Sequence, residues 1–301
     1  MKETLFEMPK VNVKNAKPFL KWAGGKGQLL NEIESRLPQG LETGEIDTYV
    51  EPFVGGGAVF FHIAQRYETI KRFYLFDRNN DLVNCYNTIK NDVNYLIAEL
   101  RQLEDKFLSL SKTKRKDYYY ERRKEFNYRR NPATLIFLNK TCFNGLYRVN
   151  RKDEFNVPFG DYKNPKICNA ENLENVSQIL KKAEIKYADF EISDKYINDK
   201  TFVYFDPPYR PISRTASFTS YSKDDFNEDE QKRLARFCRD IDKSGAKFLL
   251  SNSDPKNEDA NDHFFEDNYK DFIIERVKAS RAINCKASGR GQINELLIIN
   301  Y

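Results

Sequence analysis

Four consecutive residues in the second half of the chain could hold an amine-bearing ring. Asp206, Pro207, Pro208 and Tyr209 directly follow the apolar run 201–205, which predicts a strand. The carboxyl ends of strands are where α/β sheets bind ligands. The prolines remove two amide donors and keep their carbonyls. The Asp206 carboxylate and the Pro207 carbonyl therefore present two fixed acceptors, which match the two N–H donors of an exocyclic amine.

Holding both donors would draw the amine nitrogen towards tetrahedral geometry and free its lone pair for attack on a methyl group. The ring of Tyr209 offers a face on which a flat base can stack. The alternative is a strand that ends in prolines beside a packed tyrosine. The coincidence of strand, acid, double proline and aromatic ring favours the chemical interpretation.

A glycine-rich loop in the first half of the chain is a candidate cofactor site. It stands between a predicted strand, 47–51, and a predicted helix, 58–67, and glycines there let the backbone approach a ligand closely. The GxGxxG spacing of dinucleotide sites is absent, and 24–27 lacks the Ser or Thr of a phosphate-binding loop. These absences favour a ligand without phosphate, such as S-adenosylmethionine. An ordinary tight turn is the alternative. The loop carries Glu51, Pro52, Phe53, Gly55, Gly56 and Gly57.

Asp77 lies 20 residues beyond Gly57, at the end of the predicted strand 73–76. A carboxylate at such a strand end can accept hydrogen bonds from both hydroxyls of a ribose. The order of strand, glycine loop, helix, strand and acid predicts a βαβ unit. Asp77 is therefore a candidate for holding the ribose of the cofactor.

The elements around these motifs alternate between strands and helices. Further strands are predicted at 185–188, 246–251, 272–277 and 295–300, and further helices at 28–36, 82–90 and 229–243. A polar arm is predicted at 1–16, charged helices at 91–130, and loops with a hairpin at 139–162. We therefore expect an α/β, doubly wound sheet that forms a catalytic domain of residues 1–90 and 169–301. A mainly helical subdomain, 91–168, is expected to interrupt it.

Composition excludes some classes of protein and permits others. The 301 residues are 40% hydrophobic with a net charge of +5, which suits a folded chain and allows a nucleic-acid partner without requiring one. The five cysteines form no CxxC pair and there are two histidines, so neither a metal site nor a disulfide framework is expected. No membrane span or secretory leader is expected, and the predicted location is cytoplasmic.

These motifs together resemble those of the Dam-type DNA adenine-N6 methyltransferases over nearly the whole chain. Ordered matches lie at 19–26, 51–57, 76–81, 188–190 and 206–209. The resemblance implies a Rossmann-like sheet that binds S-adenosylmethionine and transfers its methyl group to adenine N6. It assigns Trp22, Lys26 and the glycine loop to the cofactor site, Asp77 to its ribose, Asp189 and Phe190 to its adenine, Asp206 and Pro207 to the target amine, and Tyr209 to the flipped base.

The insertion resembles the recognition hairpin of members that methylate GATC. The resemblance implies that Arg148 reads a guanine, which agrees with the bidentate contact that arginine makes with guanine O6 and N7. It implies that Lys21 contacts a second guanine and that Phe143 wedges into the base stack. Asp161 departs from the pattern, because the group has a basic residue there and a carboxylate cannot hold a phosphate. Further DNA contacts are implied for Asn144, Leu146, Asn150 and Pro158.

Double-stranded DNA is thus the predicted partner. The segment 112–130 carries nine Lys or Arg against three Asp or Glu, interleaved with aromatic residues. This pattern predicts either phosphate contacts or a solvated helix with an apolar stripe in the core. The polar loop 214–221 predicts a lid over the flipped base or a passive connector. The enzyme is expected to be a monomer, with a companion restriction endonuclease as a possible partner in restriction–modification.

Four alternatives stay open at this point. Cytosine-N4 methylation uses similar amine chemistry, although Asp206 and the matching hairpin favour adenine. Methylation of adenine in RNA is not excluded by acceptors for a flipped base. A catalytically dead DNA-binding module conflicts with the intact motif at 206–209. A nicotinamide dehydrogenase conflicts with the missing GxGxxG spacing and the lack of a histidine suited to hydride transfer.

Overall fold

The computed structural model describes residues 15–210, 226–280 and 292–301, and a seven-stranded sheet lies at its centre. The spatial order of the strands is β3-β2-β1-β4-β5-β7-β6. Of the strands described, β7 runs antiparallel to its neighbours and the other pairs are parallel. The strands are β1 (Thr48–Glu51), β2 (Arg72–Asp77), β3 (Ala183–Tyr187), β4 (Thr201–Phe205), β5 (Lys247–Ser253), β6 (Ile273–Ser280) and β7 (Gln292–Ile299).

Helices cover both faces of this sheet because its strands are apolar on both faces. In β4, Phe202 and Tyr204 point into one apolar core, whereas Val203 and Phe205 point into the other. The α/β, doubly wound class predicted from the sequence is therefore confirmed. The helices are α1 (Leu30–Glu34), α2 (Gly40–Thr43), α3 (Ala58–Arg66), α4 (Asn80–Asn91), α5 (Val93–Ser109), α6 (Lys112–Arg129), α7 (Pro132–Thr141), α8 (Ala170–Leu180), α9 (Glu228–Lys243) and α10 (Phe264–Asn268).

The segment between α4 and α8 forms three helices and a hairpin. Helices α5, α6 and α7 precede the hairpin, which is closed by antiparallel bridges between Cys142 and Phe159 and between Val149 and Phe155. The buried side chain of Phe137 belongs to the same apolar core as α3 and α4. Helices α5 and α7 thus pack on α4, which itself lies on the sheet. The predicted domain boundaries at 90/91 and 168/169 stay a prediction.

The prediction that loops begin at residue 139 is wrong, because residues 139–141 belong to helix α7. The helix continues to Thr141, and residues 133–139 are all buried. A helix buried all round has no amphipathic periodicity, which is why its pattern was not recognised. Its start does carry ordinary signals: the Asn131 side chain accepts a hydrogen bond from the Thr134 amide at 3.0 Å, and Pro132 follows the cap. Helix α8 was also not predicted.

The carboxyl ends of β1, β2 and β4 lie side by side at one edge of the sheet. The chain order reverses between β1 and β4, and open α/β sheets bind ligands at such a switch point. Two predictions cannot be placed here, because residues 1–14 of the polar arm and the loop 214–221 lie outside the described residues. Within the described ranges, no helix is long and apolar enough to cross a membrane.

Candidate cofactor and base-binding site

A cleft of about 1660 Å³ opens beyond the carboxyl ends of β1, β2 and β4. It exceeds the roughly 300–1,000 Å³ of a typical small-molecule site. Its wall includes Trp22, the glycine loop, Asp77 and the segment 206–209. The predicted cofactor motifs and the predicted amine-holding motif therefore share one cavity. The cavity has room for a nucleoside-sized cofactor and a second flat molecule.

The glycine loop has a backbone that other residues could not adopt without strain. Gly55 and Gly57 have φ angles of +47° and +70°. A Cβ atom on Gly57 would lie 2.6 Å from the phenol oxygen of Tyr86, and one on Gly55 would lie 3.1 Å from Cδ1 of Trp22. The Tyr86 hydroxyl donates to the Gly55 carbonyl at 3.0 Å and fixes the turn. The loop thus presents bare backbone to the cleft beside the ring of Trp22.

Asp77 ends β2 next to this loop. Its carboxylate accepts hydrogen bonds from the amides of Gly55 at 2.9 Å and Asn79 at 2.8 Å. Burial raises the pKa of Asp77 to about 6, although these backbone donors favour the charged form. The glycine loop, Trp22 and Asp77 together fit S-adenosylmethionine, which carries no phosphate. They offer a glycine backbone that a ligand can approach closely, an aromatic wall and a carboxylate for a ribose.

We expect Asp77→Asn to weaken the binding of S-adenosylmethionine by about 1.5–3 kcal/mol at alkaline pH, the usual value of hydrogen bonds to a charged group. The ionised carboxylate is the stronger acceptor. Because its pKa is about 6, the affinity of the unmodified protein should fall as the pH drops through that value, up to roughly tenfold per pH unit. Calorimetric titration over a range of pH measures both effects.

The matched control for this variant is Asp92→Asn. Asp92 caps α5 away from the cleft and accepts from the Tyr95 amide at 3.2 Å. The control should leave cofactor affinity and its pH dependence unchanged. Equal affinities for Asp77→Asn and the unmodified protein at alkaline pH would contradict the assignment of Asp77.

Asp206 lies opposite the glycine loop and forms an ion pair with Lys26. The Lys26 Nζ atom is 2.6 Å from Asp206 Oδ1, 3.0 Å from the Gly24 carbonyl oxygen and 4.6 Å from the centre of the Tyr209 ring. The Lys26 side chain is 4% exposed. Burial raises the pKa of Asp206, while the Lys26 ammonium lowers it. Lys26 therefore stabilises the ionised form of the carboxylate.

The rest of the tetrapeptide is held by residues from other elements. The Gln231 side chain donates to the Pro208 carbonyl at 2.9 Å, and the Tyr209 hydroxyl donates to Glu295 at 2.8 Å. No hydrogen bond from the described part of the chain reaches the Pro207 carbonyl. Among those residues the carbonyl therefore has no protein donor that would compete with a ligand. Sequence reasoning missed Gln231 and Glu295, because no local motif connects α9 and β7 to residues 206–209.

The predicted cofactor residues divide into two groups. Glu51 lines the cleft, where burial raises its pKa well above the ordinary value and the Tyr49 hydroxyl donates to it at 2.6 Å. Phe53 also lines the cleft, with Pro52 buried beside it. Asp189 and Phe190 do not line it. The Asp189 carboxylate pairs with Arg233, and Phe190 packs behind Phe53 at 5.5 Å, so the roles of both residues stay predictions.

The hairpin is attached to the segment that carries Lys21. The buried Asn139 side chain accepts from the Lys21 amide at 2.9 Å and donates at 2.8 Å to both the Lys21 and the Gly145 carbonyls. This clamp brings Lys21 next to the predicted DNA-reading hairpin. Sequence reasoning missed Asn139, which lies in the last turn of α7, where the predicted loops begin.

The side chains predicted to contact DNA differ in their exposure and in the hydrogen bonds that they make within the protein. Arg148 is exposed and donates to Asn156 at 2.7 Å within the hairpin. The side-chain oxygen of Asn150 accepts from two amides of its own turn, which leaves it less able to reach DNA. Leu146 is half-buried against the apolar core. The remaining predicted contacts, Phe143, Asn144 and Pro158, are exposed.

Helix α6 combines buried aromatic residues with exposed basic ones. Tyr119 and Phe126 are fully buried, whereas Tyr128 is 88% exposed. The first two residues therefore pack internally and cannot stack on DNA. Lys112 pairs with Asp161 at 2.7 Å on the surface, so the acidic departure in the hairpin has a local partner.

Comparison of the sequence with known proteins finds a family and relatives that are methyltransferases. A family described as D12 class N6 adenine-specific DNA methyltransferase matches residues 22–283. The chain is 55% identical to the Type II methyltransferase M.MjaIII of Methanocaldococcus jannaschii, over 95% of this chain and 99% of that one. It is 38% identical to the Type II methyltransferase M1.LlaDCHI of Lactococcus lactis subsp. cremoris, over 95% and 96%. It is 33% identical to the DNA adenine methylase of Escherichia coli K12, over 95% and 96%.

Proposed function

Since the chain belongs to the D12 class of N6 adenine-specific DNA methyltransferases, we propose that it methylates the adenine of GATC after the base rotates out of the duplex. Membership of this class favours adenine in DNA over cytosine N4 or RNA as the substrate. It also favours a methyltransferase over a catalytically dead DNA-binding module or a dehydrogenase. The observation that carries the proposal is the pair of acceptors on Asp206 and Pro207, which share a cleft with the glycine loop. S-adenosylmethionine is the methyl donor and supplies an electrophilic methyl group on its sulfonium.

Asp206 and Pro207 would each accept one N–H of the adenine amine. The nitrogen then gains tetrahedral character, and its lone pair points to the methyl group. In the reaction the nitrogen forms a bond to the methyl group while the bond between the methyl group and the sulfonium sulfur breaks, which leaves S-adenosylhomocysteine. The nitrogen also loses one proton, and the Asp206 carboxylate would be the acceptor nearest to it. Lys26 holds the same carboxylate at 2.6 Å, so its ammonium has to share or leave Oδ1 when the amine enters. Tyr209, fixed by Glu295, would stack on the base.

Rotation of the base out of the duplex follows from the depth of these acceptors. The Asp206 side chain is 21% exposed and lies inside the cleft. An amine that remains stacked in a duplex cannot reach such a group, and enzymes that modify bases extrude them for this reason. The exposed ring of Phe143, on the hairpin, would fill part of the gap that the base leaves.

The sequence preference rests on the hairpin and on Arg148. The family and the Escherichia coli relative are described by adenine and not by a target sequence. The support for GATC is therefore the resemblance of the hairpin to that of GATC-methylating enzymes and the exposure of Arg148. The direct experiment treats DNA with the pure protein and S-adenosylmethionine and maps the methyl groups. Methylation at a sequence other than GATC would refute the specificity and leave the adenine chemistry standing.

We expect Arg148→Ala to lower discrimination at one guanine by roughly 1–3 kcal/mol, because no other base pair offers the O6 and N7 pair that arginine binds bidentately. The measurement is kcat/KM on GATC and on each single-base variant at two salt concentrations.

The matched control for Arg148→Ala is Lys114→Ala, an exposed basic residue on α6. Loss of a phosphate contact should weaken all duplexes alike and flatten the salt dependence. If Arg148→Ala lowered kcat/KM equally on every duplex, Arg148 would contact the DNA backbone and the hairpin would not read the sequence.

The remaining predictions from the sequence stay predictions. They are the monomeric state, a companion restriction endonuclease, the cytoplasmic location, the division into two domains, and the DNA contacts of Lys21, Asn144, Leu146, Asn150 and Pro158.

A further inference from the structure

Asp81 lies where the cofactor side of the cleft meets the hairpin. It belongs to the first turn of α4, four residues beyond Asp77, and is 7% exposed. Its Oδ2 atom accepts from the Tyr147 hydroxyl at 2.8 Å and from Arg130 Nη1 at 2.7 Å. Both partners come from the segment inserted between α4 and α8. The amine chemistry proposed above uses none of these three residues.

Tyr147 connects this carboxylate to the cofactor loop and to the DNA-reading side chain. Its ring stacks on Trp22 with 5.4 Å between centroids and 29° between planes. Trp22 in turn packs against Gly55, and Arg148 follows Tyr147 in the chain. Burial and the Asp81 carboxylate raise the pKa of Tyr147 above its ordinary value, so its hydroxyl remains protonated and keeps donating.

Arg130 fixes the other end of the hairpin to the same acid. It caps α6 in a left-handed conformation with φ of 52°. Its Nη2 atom donates to the carbonyl of Asp153 and, at 3.0 Å, to the carboxylate of Asp153 in the hairpin turn. Asp81 thus holds one strand of the hairpin through Tyr147 and the turn through Arg130. A buried carboxylate with two charged or polar partners favours one geometry, because the loss of either partner would leave part of its hydrogen-bonding capacity unsatisfied.

We infer that Tyr147 is a positioning residue for sequence discrimination, which through Asp81 and Trp22 couples cofactor binding to the placement of Arg148. The inference rests on the proposed reading of guanine by Arg148. A cofactor that orders Trp22 and residues 77–81 also orders the Tyr147 ring and hydroxyl. By linkage, DNA that orders the hairpin then favours cofactor binding by the same factor.

The test compares Tyr147→Phe, which keeps the ring and removes the hydroxyl, with the control Tyr67→Phe. Tyr67 also donates its hydroxyl to a carboxylate, that of Glu34 at 2.9 Å, but lies outside the cleft lining. Binding to a GATC duplex and to one with the first guanine replaced is measured without cofactor and with S-adenosylhomocysteine. Fluorescence of Trp22, the chain's single tryptophan, reports cofactor binding independently of activity.

Site-to-site couplings typically amount to roughly 5–150-fold. We expect Tyr147→Phe to lose at least about fivefold in discrimination between the duplexes and to lose the gain that S-adenosylhomocysteine confers. Tyr67→Phe should keep both. Asp81→Asn, which retains an acceptor for Tyr147 but not the charge facing Arg130, should give an intermediate loss and serves if Tyr147→Phe does not fold.

A lower melting temperature with unchanged discrimination would make Tyr147 merely structural and overturn the inference. An effect of Arg148→Ala without an effect of Tyr147→Phe overturns the inference and leaves the proposed function intact. If the unmodified protein does not prefer GATC, the proposed specificity fails. The comparison then moves to the sequence found by methyl mapping, where unchanged discrimination in Tyr147→Phe would again overturn the inference.

Discussion

Asp206→Ala is expected to lower turnover by roughly 10²–10⁴-fold, the range for groups that act directly on a transferred proton or developing charge, with cofactor affinity nearly unchanged. The reason is that Asp206 contacts the reacting amine, whose charge changes in the transition state. A group of this kind contributes to turnover far more than to ground-state binding. Single-turnover kinetics with saturating DNA, together with calorimetric binding of S-adenosylmethionine, separates the two quantities.

The design needs controls because Asp206 also neutralises the buried Lys26 ammonium. Asp206→Asn keeps a neutral acceptor beside Lys26 and should lose less turnover than Asp206→Ala. Asp47→Ala removes an ion pair with Arg72 at 2.9 Å, at the opposite edge of the sheet, and should retain full turnover. Melting temperatures of all three variants report folding. Near-normal turnover in Asp206→Ala would refute the amine-holding role.

The parts of the site that the sequence predicts are those in which neighbours in the chain do the chemistry. Asp206 follows an apolar strand and precedes two prolines, so its place at the sheet edge could be inferred locally. The same holds for Asp77 and for the glycines at 55 and 57, whose positive φ angles explain why glycine stands there. The α/β class was predictable for the same reason, because strand and helix patterns alternate along the chain.

The parts that the sequence does not predict are contacts between distant segments. Tyr209 meets Glu295, 86 residues away, and Asp81 meets Tyr147, 66 residues away. Neither pair has a spacing that a motif could reveal, because tertiary packing decides which elements meet. Competition for side chains is equally invisible in sequence. Asn150 matches a DNA contact in the pattern, yet its amide oxygen accepts from the turn that contains it.

The pairing of Lys26 with Asp206 gives the proposed mechanism a pH signature. Burial raises the pKa of Asp206 and the Lys26 ammonium lowers it, so Lys26 keeps the carboxylate ionised to lower pH. An opposite charge at this distance typically lowers a carboxyl pKa by roughly 1–3 units. Turnover that requires the ionised acceptor is lost as the pH falls through this pKa. Removing Lys26 should therefore move the acid limb of the turnover profile to higher pH.

We expect Lys26→Met to shift the acid limb of kcat upward by roughly 1–3 pH units, with turnover recovering at alkaline pH, where Asp206 ionises without help. Methionine matches the buried stem of Lys26, which is 4% exposed, so the fold should persist. The profile is measured with saturating DNA and cofactor, since kcat then reports groups in the bound complex.

Two control variants test whether the charge of Lys26 and the carboxyl of Asp206 cause the limb. Lys26→Arg retains the charge and should keep the original limb. Asp206→Asn lacks the titrating group, and its residual turnover should show no such limb. A limb that stays in place in Lys26→Met would show that Lys26 does not control the ionisation of Asp206, while recovery at alkaline pH would separate this effect from lost cofactor binding.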